Sequence, residues 1–146
     1  MLLSRSSEYA IQALLYIAKY GKKPVLAREI ADKQGLAYPF LGKILQSLVK
    51  GGFLSSQKGR GGGFSLAIPP NQIKLIQVVH TIEGPNAFDG CVLGLPGCGG
   101  LNPCPVHDLW MQTREQISDI FEYRTIAQLL DLVGPRISIK SIQEKA

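Results

Sequence analysis

Apolar residues return every three to four positions through the first fifty residues, and the points where that period breaks divide the chain into elements. Ala10, Leu14, Ile17 and Ala18, widened by Ile11 and Leu15, make the buried stripe of a first helix that Ser6 and Ser7 can cap and Gly21 ends. A shorter helix over Ala27 to Gln34 turns Ala27, Ile30 and Ala31 inward and stops at Gly35. Pro39 suits the first turn of a third helix, in which Leu41, Ile44, Leu45, Leu48 and Val49 follow one stripe. Its opposite face is Gly42, Lys43, Gln46, Ser47 and Lys50.

The period then changes. Phe53 to Gln57 and Phe64 to Ala67 read as two strands joined by the turn Lys58-Gly59-Arg60-Gly61-Gly62-Gly63. Beyond Pro69 and Pro70, Leu75 to Glu83 reads as a short helix closed by Gly84 and Pro85, with His80 taken as a packed residue rather than a ligand. No period survives from about residue 88 to 104. Pro105 opens a long helix with Val106, Leu109, Trp110, Ile117, Ile120 and Phe121 apolar, close to the 3.5-residue seam that pairs a helix with a symmetry mate. Arg124-Thr125 breaks it. Thr125 and Gln128 have capping-box spacing for a last helix over Ile126 to Leu132, stopped by Gly134-Pro135 and followed by a frayed tail to Ala146.

Two short helices around a glycine turn, followed at once by a hairpin, make a winged helix-turn-helix. The fold class is therefore mainly α (α+β), with residues 1–74 as a DNA-binding domain and residues 75–146 as a cysteine-loop sensor carrying the long dimerisation helix. Charge agrees with this division. Residues 1–74 hold 11 Lys and Arg against 3 Asp and Glu, a balance of +8, whereas residues 75–146 hold 5 against 8, a balance of −3. A basic half on such a fold points to double-stranded operator DNA. The second helix of the unit enters the major groove by its N-terminal end, so Tyr38, Pro39, Gly42, Lys43, Gln46 and Lys50 are the candidate contacts there, with Arg28 from the preceding helix. Gln46 can pair with adenine and Lys43 with guanine, whereas Gly42 permits close approach. Lys58 and Arg60 are the large side chains of the wing tip, and an arginine there suits a narrow minor groove. The glycine run is no phosphate-binding P-loop, since neither Gly-Lys-Ser/Thr nor a helix follows it.

Chemistry concentrates elsewhere, in Cys91-x6-Cys98-x5-Cys104-x2-His107. Three cysteines with no apolar signal segment and no membrane-length run suggest a reduced cytoplasmic protein using thiols for metal or redox chemistry rather than disulfides. Thiolates and imidazole suit zinc or an iron-sulfur centre, and the absence of cysteine pairs two to four apart puts iron-sulfur ahead. Three unligated thiols are the plain alternative. Catalysis is set aside, because no substrate domain fits and no nucleophile context surrounds the cysteines.

Ser7-Glu8-Tyr9-Ala10, the wing Lys58-Gly59-Arg60-Gly61-Gly62-Gly63-Phe64-Ser65-Leu66, and Cys91, Cys98, Cys104, His107 and Trp110 together resemble the IscR, NsrR and RirA group of bacterial regulators, the Rrf2 family. That resemblance spans about residues 1–133 and implies a homodimeric repressor or activator whose iron-sulfur cluster reports iron-sulfur supply, nitric oxide or redox stress. It offers two fourth ligands. His107 matches the histidine of IscR-like members, which hold a 2Fe-2S cluster, the favoured form. Glu8 matches the carboxylate that the partner subunit supplies in NsrR-like members, which hold a 4Fe-4S cluster. A cluster-free thiol or metabolite-responsive regulator of the same fold, or a structural zinc site, is the alternative.

Overall fold

The stripe on the third helix is the floor of the molecule. In a computed structural model that describes residues 3–133, Leu41, Ile44, Leu45 and Leu48 are buried against Ala10, Ala13, Leu14 and Ile17 of the first helix. Each such side chain contributes roughly 1.5–3 kcal/mol by leaving water, so this contact is a large part of what holds the fold together. The elements are α1 (Arg5–Tyr20), α2 (Ala27–Gln34), α3 (Tyr38–Lys50), β1 (Leu54–Gln57), β2 (Gly63–Leu66), a 3-10 turn at Pro70–Gln72, α4 (Leu75–Glu83), α5 (His107–Tyr123) and α6 (Ile126–Val133). The Gly134-Pro135 stop and the tail expected beyond it lie outside the described residues.

Local chemistry explains the boundaries. Ser4, not Ser6 or Ser7, caps α1: its hydroxyl accepts the Ser7 amide at 3.1 Å, and Ser7 faces inward, fully buried. The helix starts earlier than expected because a distant carboxylate, Glu83, takes the Ser4 amide. Gly35 ends α2 in the left-handed region (φ 67°), where glycine carries no Cβ penalty, and α3 begins three residues later. The two strands pair antiparallel with Leu54 opposite Leu66 and Gln57 opposite Gly63. Val25 forms an isolated bridge to β2, exchanging both backbone hydrogen bonds with Phe64 at 2.8 and 2.9 Å. A Cβ at Gly63 would lie 2.6 Å from the Val25 carbonyl oxygen, so the wing root sits against the α1–α2 connection only because that residue is glycine.

The main core does not stop at residue 74. Ile73, Leu75 and Val78 join it from α4 and its lead-in, and Ile126 joins it from α6. Backbone bonds from Leu75 to Arg124 and from Ile126 to Ile73 tie the starts of α4 and α6 together. The capping box is present: the Thr125 amide reaches Gln128 Oε1 at 2.9 Å and the Gln128 amide reaches Thr125 Oγ1 at 3.2 Å. A second cluster of Ile76, Val79 and Phe88 packs with Leu3, Ile11, Ile117 and Phe121 and seats α5 on α4. His80 is exposed on α4, not packed as the sequence led us to expect, because the apolar stripe of that helix runs through Ile76, Val78 and Val79 instead.

Candidate metal centre and nucleic-acid interface

Both ends of the cysteine segment are fixed by α5. On the approach, Phe88 is buried with its ring centroid 5.2 Å from that of Phe121, and two side chains of α5 hold the next carbonyls. Trp110 Nε1 donates to Gly90 at 2.9 Å and Arg114 donates to Asp89 at 3.0 Å. On the exit, the His107 amide donates to the Cys104 carbonyl at 3.0 Å. This turn delays the helix, so α5 starts at His107 rather than at Pro105. Between those anchors the Gly94 amide folds back on the Cys91 carbonyl at 2.9 Å, and Gly99 and Asn102 form a small bridge.

The result is convergence. All three cysteine Sγ atoms lie within 4.8 Å of one another, and all three residues are half-buried. Cys91 and Cys104 Sγ are 3.7 Å apart, Cys98 Sγ accepts the Cys104 amide at 3.4 Å, and His107 Nδ1 lies 3.6 Å from Cys98 Sγ. Hydrogen bonds, the largest from the Leu95 amide, lower the Cys91 thiol to about 7 against the opposing effect of desolvation. Cys98 goes the other way: the Cys104 amide lowers it, but desolvation and the two neighbouring thiols outweigh that bond and raise it. One thiol is thus ready to lose its proton while its neighbour resists, as expected where three sulfurs share one small site.

The donor set fits a metal group. Two thiolates bonded to one tetrahedral ion at ~2.3 Å stand ~3.8 Å apart, close to the Cys91–Cys104 spacing. His107 adjoins Cys98 but does not lie within 4.8 Å of all three sulfurs, and Glu8, half-buried in the first turn of α1, is outside the group formed within one chain. The segment is rimmed by exposed Val92, Leu93, Leu95 and Leu101.

Most of the candidate DNA residues lie together along α3. Tyr38, Pro39, Gly42, Lys43, Gln46, Ser47 and Lys50 line a shallow concavity of about 580 Å³ along α3. The Arg28 guanidinium stacks 5.0 Å over the Tyr38 ring, which joins α2 to the leading end of α3. Lys58 and Arg60 stand exposed on the wing tip. Among the described residues none of these cations pairs with a carboxylate; the Lys74–Glu122 ion pair, at 3.6 Å, lies elsewhere.

Helix α5 divides the residues expected to dimerise. Trp110, Ile117 and Phe121 turn inward onto their own chain, together with Arg114, whereas Leu109 and Ile120 are 69% and 57% exposed. Leu109, Thr113, Gln116, Ile120 and Tyr123 recur at spacings of four and three, which is a heptad seam on the open side of the helix. Tyr123, 71% exposed, was missed in the sequence because it adjoins the Arg124 break. Phe88 and Arg114 were missed too, although an aromatic just before the first cysteine was a usable signal.

A family model described as an iron-dependent transcriptional regulator, Rrf2, matches residues 3–132. The chain belongs to the Rrf2 family. Among curated relatives, an HTH-type transcriptional regulator of Aquifex aeolicus is 34% identical over 134 residues, covering 90% of this chain and 93% of that protein. The HTH-type transcriptional regulator IscR of Yersinia pseudotuberculosis is 30% identical over 132 residues, covering 90% of this chain and 80% of the relative. Of solved structures, T. potens IscR superposes with a TM-score of 0.70 at 26% identity, covering 93% of this chain and 91% of that one. CymR, the global cysteine regulator of B. subtilis, shares the fold at a TM-score of 0.72 and 22% identity. This Rrf2 protein is a transcriptional regulator of the IscR type with a mainly α winged fold, and its relatives are named as regulators rather than enzymes. Among its described residues no helix is long and apolar enough to cross a membrane.

Proposed function

We propose that this Rrf2 protein is a homodimeric bacterial regulator that binds operator DNA through α3 and the wing, and that an iron-sulfur cluster on Cys91, Cys98 and Cys104 sets its DNA affinity. The convergence of three thiols within 4.8 Å carries the reading. His107, beside Cys98, is the favoured fourth ligand and goes with a 2Fe-2S centre; Glu8 of the partner subunit is the alternative and goes with 4Fe-4S. When bound, such a group supplies one-electron chemistry and sensitivity to oxidants. The chain supplies the rest. Tyr38, Lys43, Gln46 and Lys50 face the major groove, Arg28 and Lys58 meet phosphates, and Arg60 enters the minor groove. Leu109, Ile120 and Tyr123 form one patch that meets the same patch of a second copy, as an isologous pair requires, while Trp110, Ile117 and Phe121 hold the helix on its own subunit.

A second reading has one observation in its favour. The 3.7 Å separation of Cys91 and Cys104 suits a single tetrahedral ion, so a structural zinc would use the same donors. Anaerobic purification separates the two. A coloured protein containing iron and sulfide supports the cluster; a colourless protein with one equivalent of zinc replaces it. His107→Ala and Glu8→Ala identify the fourth ligand, since loss of the true ligand makes the bound group labile and loss of the other leaves its spectrum intact.

A further inference from the structure

Glu83 is out of place by the ordinary rules of helices. It is the last residue of α4, where the negative end of the helix dipole disfavours a carboxylate. Its carboxylate instead serves another helix. Oε1 accepts the Ser4 amide at 2.8 Å, and the Ser4 and Ser7 hydroxyls also hydrogen-bond to it, although burial opposes the charge. Ser4 is the N-cap of α1, and in a capping box its amide would be taken by a Glu or Gln three residues on. That position is Ser7, which is too short and faces the core. A side chain 79 residues away fills the role.

The position of this substitution gives it a second consequence. Directly after Glu83 come Gly84, with φ 93°, and Pro85, then the anchored Phe88 and Cys91. On the other side, α1 carries Glu8 in its first turn and packs on α3, which carries most of the candidate DNA residues, and on β2, the strand that returns from the wing tip. One carboxylate therefore joins the entry of the cysteine segment to the helix on which the reading head rests.

We propose that Glu83 is a positioning residue that couples the state of the cysteine loop to DNA binding by clamping the first turn of α1 to the end of α4. The proposal rests on the function proposed above and names the joint through which it is regulated. A ligand-dependent change in DNA affinity needs two states that differ in a physical element both sites bias, and this clamp is such an element.

The test uses the full-length protein, reconstituted with iron and sulfide or left apo, and measures operator Kd in both forms. Wild type should show a ratio between the forms of roughly 5- to 150-fold, the usual range of allosteric coupling. Glu83→Ala should bring that ratio below about twofold. Glu83→Gln, whose amide oxygen can still accept from the Ser4 amide, should restore most of it. Hydrogen exchange at residues 4–8 should differ between loaded and apo wild type and should not differ in Glu83→Ala, a readout that a purely structural cap would not move. Should Glu83→Ala fail to fold, Glu83→Asp decides, because its side chain is one methylene too short to hold the Ser4 amide from the end of α4: a reduced ratio supports the clamp and a wild-type ratio removes it. A wild-type ratio in folded Glu83→Ala overturns the proposal outright and leaves the regulator reading standing, whereas equal affinities in the wild type would overturn both.

Discussion

The core built around α1 and α3 is closed by side chains of the same chain, including Leu75, Val78 and Ile126, whereas the segment from Cys91 through α5 is not. Among its described residues α3 buries four large apolar side chains, while α5, longer by four residues, buries none. The cysteine segment adds four exposed apolar residues around three half-buried thiols. A part of a protein that leaves apolar surface and metal-binding sulfur unsatisfied is built to be completed by something else. On the function proposed above, the completing parts are a bound metal group and a second copy of the chain, and the closed part is the one that meets DNA.

The largest effect expected from this contrast is on assembly. Leu109→Glu with Ile120→Glu should convert a dimer to a folded monomer by sedimentation, because both residues lie on the open seam and neither contributes to the monomer core. Ile117→Glu should instead destabilise the subunit, since that residue packs beside Ile76, Val79 and Phe88. A double Glu variant that still sediments as a dimer would move the interface off α5.

On the finished side, Arg60→Ala should weaken operator binding by about 1–2 kcal/mol, or roughly 5- to 30-fold, and reduce the salt slope by about one, with melting unchanged. Filter binding across a salt series reads both. Smaller still is Gly42→Ala. Gly42 has helical backbone and nothing lies within 4 Å of where its Cβ would be, so no internal contact requires glycine there. Alanine should raise stability by roughly 0.5–1 kcal/mol, a rise of about 2–4 °C in melting temperature, while DNA affinity falls because the concavity floor is filled. A stabilised variant with undiminished affinity would show that the floor of that face touches nothing.

The smallest expected effect concerns pH. Hydrogen bonds from Ser7 and Ser4 hold Glu83 below the usual carboxylate range despite its desolvation. A carboxylate whose folded pKa is depressed stabilises the fold above its unfolded pKa and loses that contribution as pH falls through the folded value. The stability gap between wild type and Glu83→Gln should therefore be largest above about pH 5 and should shrink as the solution is acidified. Urea melts at several pH values measure it, and a gap independent of pH would mean that the charge contributes nothing.

The elements themselves were legible because each carries a local signature. The α3 stripe, Gly35 and the Thr125–Gln128 capping box are all visible within a few residues of sequence and all hold in the fold. What was illegible depends on partners far apart in sequence. Ser4 caps α1 because Glu83 arrives from α4, and α5 begins late because His107 is bonded back to Cys104. The apolar set on α5 could be recognised as a seam, but which members face inward is decided by Phe88 and by the Trp110 and Arg114 bonds to residues 89 and 90. The convergence of the three cysteines was suggested by their spacing; its closeness follows from the anchors at both ends of the segment.

Operator affinity measured on one anaerobic preparation, before and after removal of its metal, tests the central claim most directly. The protein should be coloured, contain iron and sulfide in proportion to its absorbance, and change operator Kd by at least about fivefold on removal. Removal followed by reconstitution should reverse the change, and Cys98→Ala should behave as the apo form throughout. A preparation whose Kd is the same with and without its metal, at every salt concentration tested, would contradict the account.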